Sequence, residues 1–336
     1  MIMKSKSKAV EKEITPPESS NDLSFLKEAK FADSIKKLEE LMSQNKRSFL
    51  LGAGCSLCAG LPLMSQLTNE VKNDTALSGA TKDLLQIIET KFSGSTTATI
   101  EDFMSEFVDL LSIAERREES GATNVKIDID SKPYSAEQLR DCLKDIKSSI
   151  AKYIESKKLD VSTHREFIRA VHQTLRSGKG NGLGLVDYFV LNYDTLLEDV
   201  LAIERLSYSD GFAGGSTAWW DDSAFKQNGL QARVFKIHGS IDWVQLEEDP
   251  LPRRIRASGE KFSGIKPKDK VIIWPASTKY QESQRNPYAQ ILANMRNILR
   301  PVVHSETVLA VCGYRFGDSH INIEIDRALR ESEGRL

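Results

Sequence analysis

Asn192 and His238 are the two side chains best suited to chemistry in this sequence, since each follows a short apolar run of β type. Asn192 stands directly after Val186–Leu191, and His238 directly after Val234–Ile237. A histidine at a strand end can act as a general base near neutral pH. A lone histidine is more often structural, and Asn192 with Asp194 can equally form a turn or a helix cap. The residues alone leave both interpretations open.

A glycine-rich loop after the apolar run Ser48–Leu51 is a candidate phosphate site. The loop reads Gly52-Ala53-Gly54-Cys55-Ser56, and Gly60-Leu61-Pro62 follows. Glycines after a strand let a phosphate approach backbone amides, and a nearby helix N-terminus adds favourable partial charge. Leu57 occupies the third glycine position of G-x-G-x-x-G, and no Gly-Lys-Ser/Thr follows, which argues against ATP hydrolysis. The loop by itself is weak evidence for a nucleotide.

The chain has four cysteines, too few and too dispersed for a disulfide framework: Cys55, Cys58, Cys142 and Cys312. Cys55 and Cys58 form a lone C-x-x-C, a spacing found in redox motifs and in half of a zinc site. A tetrahedral zinc site needs four ligands, and no second pair follows. We therefore interpret the two cysteines as small residues of a tight loop and expect no metal site.

Two further polar clusters follow apolar runs. Lys236–Trp243 surrounds His238, and Gly313–Asn322 follows Val308–Cys312 with turn glycines, Asp, His and Asn. In open α/β sheets, ligands bind beyond the carboxyl ends of the strands. Four polar clusters after four strand-like runs are therefore expected to converge at one edge of one sheet.

The elements that must position these clusters indicate an α/β fold. Four runs are expected to form strands covered on both faces: Val186–Leu191, Val234–Ile237, Val271–Trp274 and Val308–Cys312. Helical stretches at Leu196–Ile203 and Ala289–Leu299 lie among them, and alternating strands and helices favour a parallel sheet. We expect a Rossmann-like parallel sheet with helices on both faces and a large helical insertion.

The domain organisation is read from composition and periodicity. Residues 1–20 are polar and are expected to form a disordered arm, and residues 21–336 one catalytic domain with the helical insertion at about 64–175. A first helix is expected from Asn21, an irregular surface loop at Ser120–Tyr134, and a glycine-rich break at Gly178–Gly184.

Composition excludes several classes of function. The formal net charge of -2 across 336 residues gives no footprint for nucleic acid. No apolar run approaches the roughly 20 residues that span a bilayer, and the amino terminus lacks a signal-peptide pattern. We expect a cytoplasmic protein.

The four clusters together resemble motifs of the sirtuin superfamily. The Gly52–Ser56 loop is similar to its nucleotide loop, Asn192–Asp194 to its catalytic-asparagine motif, and Lys236–Ser240 to its catalytic-histidine motif. Gly313–Asn322 resembles a signature of the bacterial sirtuin-like branch, whose members consume NAD in phage defence. The run Thr99–Phe103 also fits that branch.

The resemblance implies a site and a reaction. Asn192 and His238 would be catalytic, with NAD as the substrate, and no metal is expected. The residues expected to bind NAD are Gly52, Ala53, Gly54, Ser56, Asp194, Gly239, Ser240, Gly313, Tyr314 and Phe316. Protein-deacylating sirtuins carry a zinc ribbon of two Cys pairs after the histidine motif, and Trp243–Val271 contains no cysteine. The resemblance therefore favours NAD hydrolysis to nicotinamide and ADP-ribose over protein deacylation.

Two alternatives stay open: an NAD-dependent protein deacylase and a non-catalytic module that senses NAD or ADP-ribose. A defence NADase must be silent until infection, so the resemblance also implies a sensor. We expect that sensor in trans, with a HerA-type ATPase preferred over a short Argonaute, or a longer protein from which this chain is truncated. Homo-oligomerisation is expected through the helical regions.

Overall fold

The computed structural model describes residues 29–42, 44, 46–95, 98–172, 184–246, 249–256, 267–272, 286–300 and 306–336. The predicted arm, the predicted start of a helix at Asn21 and most of Gly178–Gly184 lie outside these residues. The chain divides into two compact units, residues 1–43 and 44–336. In the first unit the structure describes one helix, and the second unit holds the sheets and the candidate site.

The helices, in chain order, are α1 (Ala29–Met42), α2 (Gly54–Leu57), α3 (Met64–Lys72), α4 (Gly79–Lys91), α5 (Ile100–Glu119), α6 (Ala136–Glu155), α7 (Ser162–His172), α8 (Leu196–Ile203), α9 (Tyr288–Leu299) and α10 (Ser319–Glu331). The strands are β1 (Arg47–Leu51), β2 (Ile127–Ile129), β3 (Lys132–Tyr134), β4 (Val186–Val190), β5 (Tyr208–Ser209), β6 (Phe212–Gly214), β7 (Thr217–Trp220), β8 (Ala232–Lys236), β9 (Gly239–Leu246), β10 (Arg253–Ile255), β11 (Pro267–Ile272) and β12 (Val308–Cys312). The predicted helices at Leu196–Ile203 and Ala289–Leu299 are confirmed.

A parallel sheet carries the candidate site, and its strand order is β12-β1-β4-β8-β5. Every residue of β1 and β4 is buried, as expected for strands that are covered on both faces. On one face, Phe49 and Tyr188 stack at 5.4 Å, and Phe167 of α7 meets Phe49 edge-on. On the other face, Leu50 and Phe189 join the core that includes α9. The predicted α/β class, with helices on both faces of a parallel sheet, is confirmed.

A helical layer formed by α3, α4, α5 and α6 has its own apolar core. Local signals start two of these helices: Ser135 and Gln138 exchange hydrogen bonds at the start of α6, and Thr99 and Asp102 pair at the start of α5. Tyr193, from the loop after β4, belongs to the same core and therefore joins the helical layer to the sheet. None of the helices in the described ranges combines the length and apolar composition of a membrane span.

Two expectations about these elements are wrong. The Ser120–Tyr134 segment contains the hairpin β2–β3, where only irregular loop was expected. Val271 lies in β11, which pairs antiparallel with β9 in a second sheet of order β11-β9-β10-β7-β6, so it is not a strand of the parallel sheet. Residues 273 and 274 of that predicted strand lie outside the described residues. The helical layer ends at α6, since α7 packs on the parallel sheet through Phe167.

Candidate active site

A cavity of about 570 Å³ lies at the carboxyl edge of the parallel sheet, beyond β1, β4, β8 and β12. Its volume is in the range of about 300–1,000 Å³ that is common for small-molecule sites. All four polar clusters contribute to its lining, through Gly52, Ala53, Gly54, Ser56, Asn192, Asp194, His238, Gly313 and Tyr314. The parallel order of the strands therefore brings together residues that are up to 262 positions apart (52 to 314).

Three glycines let the loop after β1 contact the loop after β12. The amide of Gly54 donates to the carbonyl of Gly313 at 3.0 Å. A Cβ added at Gly52 would lie 2.6 Å from the Gly313 oxygen, and one at Gly313 would lie 2.4 Å from the nitrogen of Cys55. Gly313 also has a φ of +62°, which favours glycine. These glycines are required by contact between two stretches of backbone.

The amides of the glycine loop are mostly used within the protein. Gly52, Gly54, Cys55 and Ser56 each donate to a backbone carbonyl at 2.9–3.1 Å. An amide that is already hydrogen-bonded is a poor ligand for a phosphate. Binding of NAD by Gly52, Ala53, Gly54 and Ser56 stays a prediction, and of the loop amides from Gly52 to Ser56, that of Ala53 is not among these donors. The glycines shape the cavity wall.

Asn192 is held by two hydrogen bonds that fix its orientation. Its Nδ2 donates to the carbonyl of Gly52 at 3.1 Å and to the hydroxyl of Ser56 at 2.7 Å. That hydroxyl donates in turn to Oδ2 of Asp194 at 2.8 Å. Both hydrogens of the amide are thereby used, because a side-chain amide has two donors. The group that Asn192 can offer to a ligand is its Oδ1, a hydrogen-bond acceptor.

Asp194 and the turn after β8 hold the loop that carries Asn192. Oδ1 of Asp194 accepts from the amide of Leu196, the first residue of α8, at 3.1 Å. The fully buried Lys236 donates through Nζ to the carbonyl of Asp194. The carbonyl of Tyr193 accepts from the hydroxyl of Ser240 at 3.2 Å and from the amide of Ile241 at 2.9 Å. The loop is thus fixed on three sides before any ligand is present.

His238 lies between β8 and β9, with its side chain 5% exposed and on the cavity wall. Its ring centroid is 5.6 Å from that of His320 on α10, and the two planes are inclined at 41°. Gly239, with a φ of +78°, reverses the chain directly after it. The turn therefore fixes the backbone on both sides of the imidazole.

Three predicted binding residues do not line the cavity: Gly239, Ser240 and Phe316. Ser240 is fully buried, and its hydroxyl contacts the Tyr193 carbonyl. The Phe316 side chain is 55% exposed, and its carbonyl accepts from Nδ2 of Asn322 at 2.7 Å. The contacts of Ser240 and Phe316 are with neighbouring loop residues. Tyr314, in contrast, lines the cavity, and its hydroxyl accepts a hydrogen bond from the amide of Asp318 at 3.0 Å.

The cavity also has charged wall residues that the motifs did not predict as site residues. Glu101 of α5 lines it and accepts from the Tyr193 hydroxyl at 2.9 Å; burial, reinforced by Glu101, raises the pKa of Tyr193 well above its usual value. Asp318 and Arg315 line it from the loop after β12. The Thr99–Phe103 run was the sequence signal that pointed to Glu101. No such signal distinguished Arg315.

Within the part of the chain that the structure describes, no three His, Cys, Asp or Glu side chains are grouped as a metal site requires. Cys55 and Cys58 instead line a second cavity of about 230 Å³. This second cavity shares Gly54, Ser56 and Asn192 with the larger one. The wall between the two cavities is therefore the glycine loop together with its hydrogen bonds to Asn192.

Comparison with known families finds a match in the carboxyl-terminal part of the chain. Residues 187–336 match the SIR2-like domain. The match starts within β4 and covers less than half of the chain, including Asn192, His238 and Gly313. It supports a sirtuin-like family and an NAD-related function. A comparison with curated proteins finds no match to this chain.

The SIR2-like match and the cavity support each other. The matched residues supply the Asn192 loop, the His238 turn and the loop after β12. The glycine loop and Glu101 lie before the matched region, and the structure places both on the same cavity wall. The amino-terminal half therefore completes a cavity that the SIR2-like half begins.

Proposed function

We propose that this chain hydrolyses the nicotinamide–ribose bond of NAD and releases nicotinamide and ADP-ribose. The observation that carries the proposal is the fixed Asn192 amide, whose hydrogens are both used and whose Oδ1 can only accept. Such an acceptor orients a ribose hydroxyl or a water molecule. His238 lies on the wall of the same cavity and has the chemistry of a general base.

The chemistry of NAD suits this set of residues. Nicotinamide leaves as a neutral molecule from a cationic ring, so its departure needs no strong acid. Positive charge develops on the ribose as the bond breaks, and carboxylates stabilise such charge. Among the described residues, Glu101, Asp194 and Asp318 bring carboxylates to the cavity wall, and Arg315 brings a guanidinium. Water adds to the ribose carbon, and the proton it loses passes to His238.

Recognition of the pyrophosphate is assigned to Arg315 and the amide of Ala53. Arg315 brings the guanidinium to the wall, and guanidinium groups bind phosphate oxygens in pairs. The other loop amides are occupied, which leaves Ala53 to donate. Tyr314 and Gly313 lie beside them on the wall and form the adenosine side.

The assay for this function is incubation of the full chain with NAD and separation of the products. Hydrolysis predicts equal amounts of nicotinamide and ADP-ribose without any other substrate. A protein deacylase instead predicts release of nicotinamide only with an acyl-lysine peptide, together with acyl-ADP-ribose. A sensing module predicts saturable binding of NAD with no product. Either of these two results would overturn the proposal.

The biological role proposed here follows the resemblance to bacterial effectors. The chain would deplete NAD in the cytoplasm during phage infection, and this depletion would cause abortive infection. It would act as a homo-oligomer controlled by a sensor in trans, a HerA-type ATPase or, as the alternative, a short Argonaute. Co-purification with the product of a neighbouring gene, followed by mass measurement of the complex, tests this part.

A further inference from the structure

Three of the four cysteines of the chain line the 230 Å³ cavity behind the glycine loop. The rest of its wall is mostly apolar and includes Phe167 of α7. Cys55 lies in α2, Cys58 directly follows that helix, and Cys312 is the last residue of β12. The fold therefore brings Cys312 to a pair from which it is separated by more than 250 residues.

Cys55 and Cys312 lie next to the backbone contact between the loop after β1 and the loop after β12. Cys312 is the register partner of Leu51, and the amide of Gly52 donates to its carbonyl at 2.9 Å. A Cβ on Gly313 would lie 3.0 Å from Sγ of Cys55, so this sulfur lies against the residue that follows Cys312. Both side chains line the same 230 Å³ cavity.

The neighbouring thiols differ in acidity. The Cys55 thiol lowers the pKa of Cys312 to about 7, and the same contact raises the pKa of Cys55. A thiolate near neutral pH is the form of cysteine that attacks an electrophile. Both side chains are partly exposed to the cavity, which admits a small oxidant.

We propose that Cys55 and Cys312 are a modification site, at which a hydroperoxide oxidises the two thiols to a reversible disulfide. The Cys312 thiolate attacks one peroxide oxygen and becomes a sulfenic acid, with water or an alcohol as the leaving product. The Cys55 sulfur then attacks the sulfenic sulfur, and a second water leaves as the S–S bond forms. Two thiols lose two electrons and two protons, and the peroxide is reduced. A dithiol reverses the step.

Cys58 is the competing partner in the sequence, because it forms the C-x-x-C with Cys55. Its Sγ, however, donates to the Cys55 carbonyl at 3.3 Å and lies 3.9 Å from Nδ1 of His164 on α7. It therefore contacts the backbone of Cys55 and a helix on the other side of the cavity. The contacts favour the long-range pair over the local one.

Oxidation would also act on the larger cavity, a consequence that rests on the proposed NAD hydrolysis. Forming the bond brings the sulfurs to about 2.05 Å and draws Cys55 toward β12. The next residue, Ser56, holds Asn192. A displacement of this hydrogen bond by about 1 Å is expected to lower turnover on the order of 100-fold.

The test is oxidation of the whole chain with hydrogen peroxide, alkylation of free thiols, and tryptic mapping without reductant. The proposal predicts a cross-link between residues 48–72 and 297–315, which carry Cys55 with Cys58 and Cys312 respectively. Cys58→Ser should keep the cross-link, whereas Cys55→Ser and Cys312→Ser should remove it. A bond confined to residues 48–72, survival of the cross-link in Cys55→Ser, or sulfinic acid without any disulfide would overturn it.

Measuring NAD hydrolysis distinguishes the proposed disulfide from the proposed hydrolytic function. Hydrolysis of NAD by the reduced chain, lost on oxidation and restored by dithiothreitol, supports both. A cross-link in a chain that shows no hydrolysis when reduced leaves the modification site standing and rejects the function. Cross-linked chain with unchanged turnover rejects the proposed effect on Asn192.

Discussion

Asn192 shows how far the chemistry of one residue depends on contacts that are distant in the sequence. Its neighbours in the chain, including Asp194, are as typical of a turn as of a catalytic loop. Ser56, 136 positions away, accepts one hydrogen of its amide, and the Gly52 carbonyl accepts the other. The motif therefore predicts the residue, while only the fold shows which atom faces the cavity.

The glycine motif does not reveal which loop amides are hydrogen-bonded within the protein. Gly52 and Gly54 stand where a phosphate loop would have them, yet their amides donate to the strand and loop at β12. The sequence cannot reveal this, because Gly313 meets them only in the folded sheet. Their observed role is to allow two backbones to touch.

Replacement of Gly313 by alanine is expected to destabilise the chain and disrupt the cavity. The new Cβ would lie 2.4 Å from the nitrogen of Cys55, and the φ of +62° is unfavourable for alanine. We expect a loss of about 2–4 kcal/mol in the free energy of unfolding, measured in urea, since strain and a backbone clash act together.

Gly121→Ala is the matched control for this change. Gly121 has a φ of +89°, but nothing lies within 4 Å of its added Cβ. It measures the conformational cost alone, about 1 kcal/mol. Equal losses in the two variants would show that the contact between the loops at β1 and β12 contributes nothing.

Four of the five strands of the parallel sheet, β1, β4, β8 and β12, could be recognised from the sequence, whereas β5 and most strands of the second sheet could not. The parallel strand β12 is a continuous apolar run, β4 is apolar except for Asp187, and both lie next to helical stretches. β9 is buried over most of its length without apolar alternation, and β6 and β10 have three residues each. Short strands of this kind carry too little periodicity to be identified.

The hairpin β2–β3 was missed for a related reason. Its turn is Asp130-Ser131, and both residues have positive φ, +50° and +62°. Such a turn is usually marked by Asn-Gly or Asp-Gly, and no glycine marks it here. The strands have three residues each, so nothing else in the segment compensates for the missing turn signal.

A buried charge joins the second sheet to the segment between β5 and β6. Asp210, 4% exposed, forms ion pairs with Arg254 and, at 3.8 Å, with Arg256. Asp210→Asn would leave the Arg254 guanidinium largely buried without a carboxylate. We expect a loss of about 3 kcal/mol in the free energy of unfolding.

Asp326→Asn is the comparison variant. Asp326 pairs with Arg330 at 2.8 Å, but the two side chains are 60% and 78% exposed. An exposed pair contributes little, so the expected change is within about 0.5 kcal/mol. A loss of similar size in both variants, by urea unfolding, would mean that burial does not set the strength of the Asp210 pair.

Glu198 links the stability of the whole molecule to pH. Its side chain is 2% exposed, and burial raises the pKa of its carboxyl to about 7, although Lys236 at 3.8 Å opposes the shift. In the unfolded chain the carboxyl titrates near 4.5. Between these values the folded state binds more protons than the unfolded state, so stability falls as pH rises through that window.

Glu198→Gln is expected to remove this dependence. Relative to the variant, the wild type should lose up to about 3 kcal/mol of unfolding free energy between pH 4.5 and pH 8, from the shift in pKa. Urea unfolding of both proteins across this range measures the difference. Parallel stability curves would show that Glu198 is ionised in the folded chain throughout.

Residues from both the amino-terminal and the carboxyl-terminal part of the chain line the candidate site. The carboxyl-terminal part matches the SIR2-like domain, and the amino-terminal part contributes a glycine loop and Glu101 through its packing. Neither part alone completes the wall around Asn192. The proposed hydrolysis of NAD requires both Asn192 and His238 at this wall.

Release of nicotinamide from NAD by the full chain, Asn192→Ala and His238→Ala tests this dependence. All three proteins are first compared by circular dichroism and thermal unfolding, so that loss of fold is separated from loss of chemistry. The account predicts hydrolysis by the wild type and a rate at least about 100-fold lower in each folded variant. Wild-type turnover in either folded variant, or saturable NAD binding without any nicotinamide from the wild type, would contradict it.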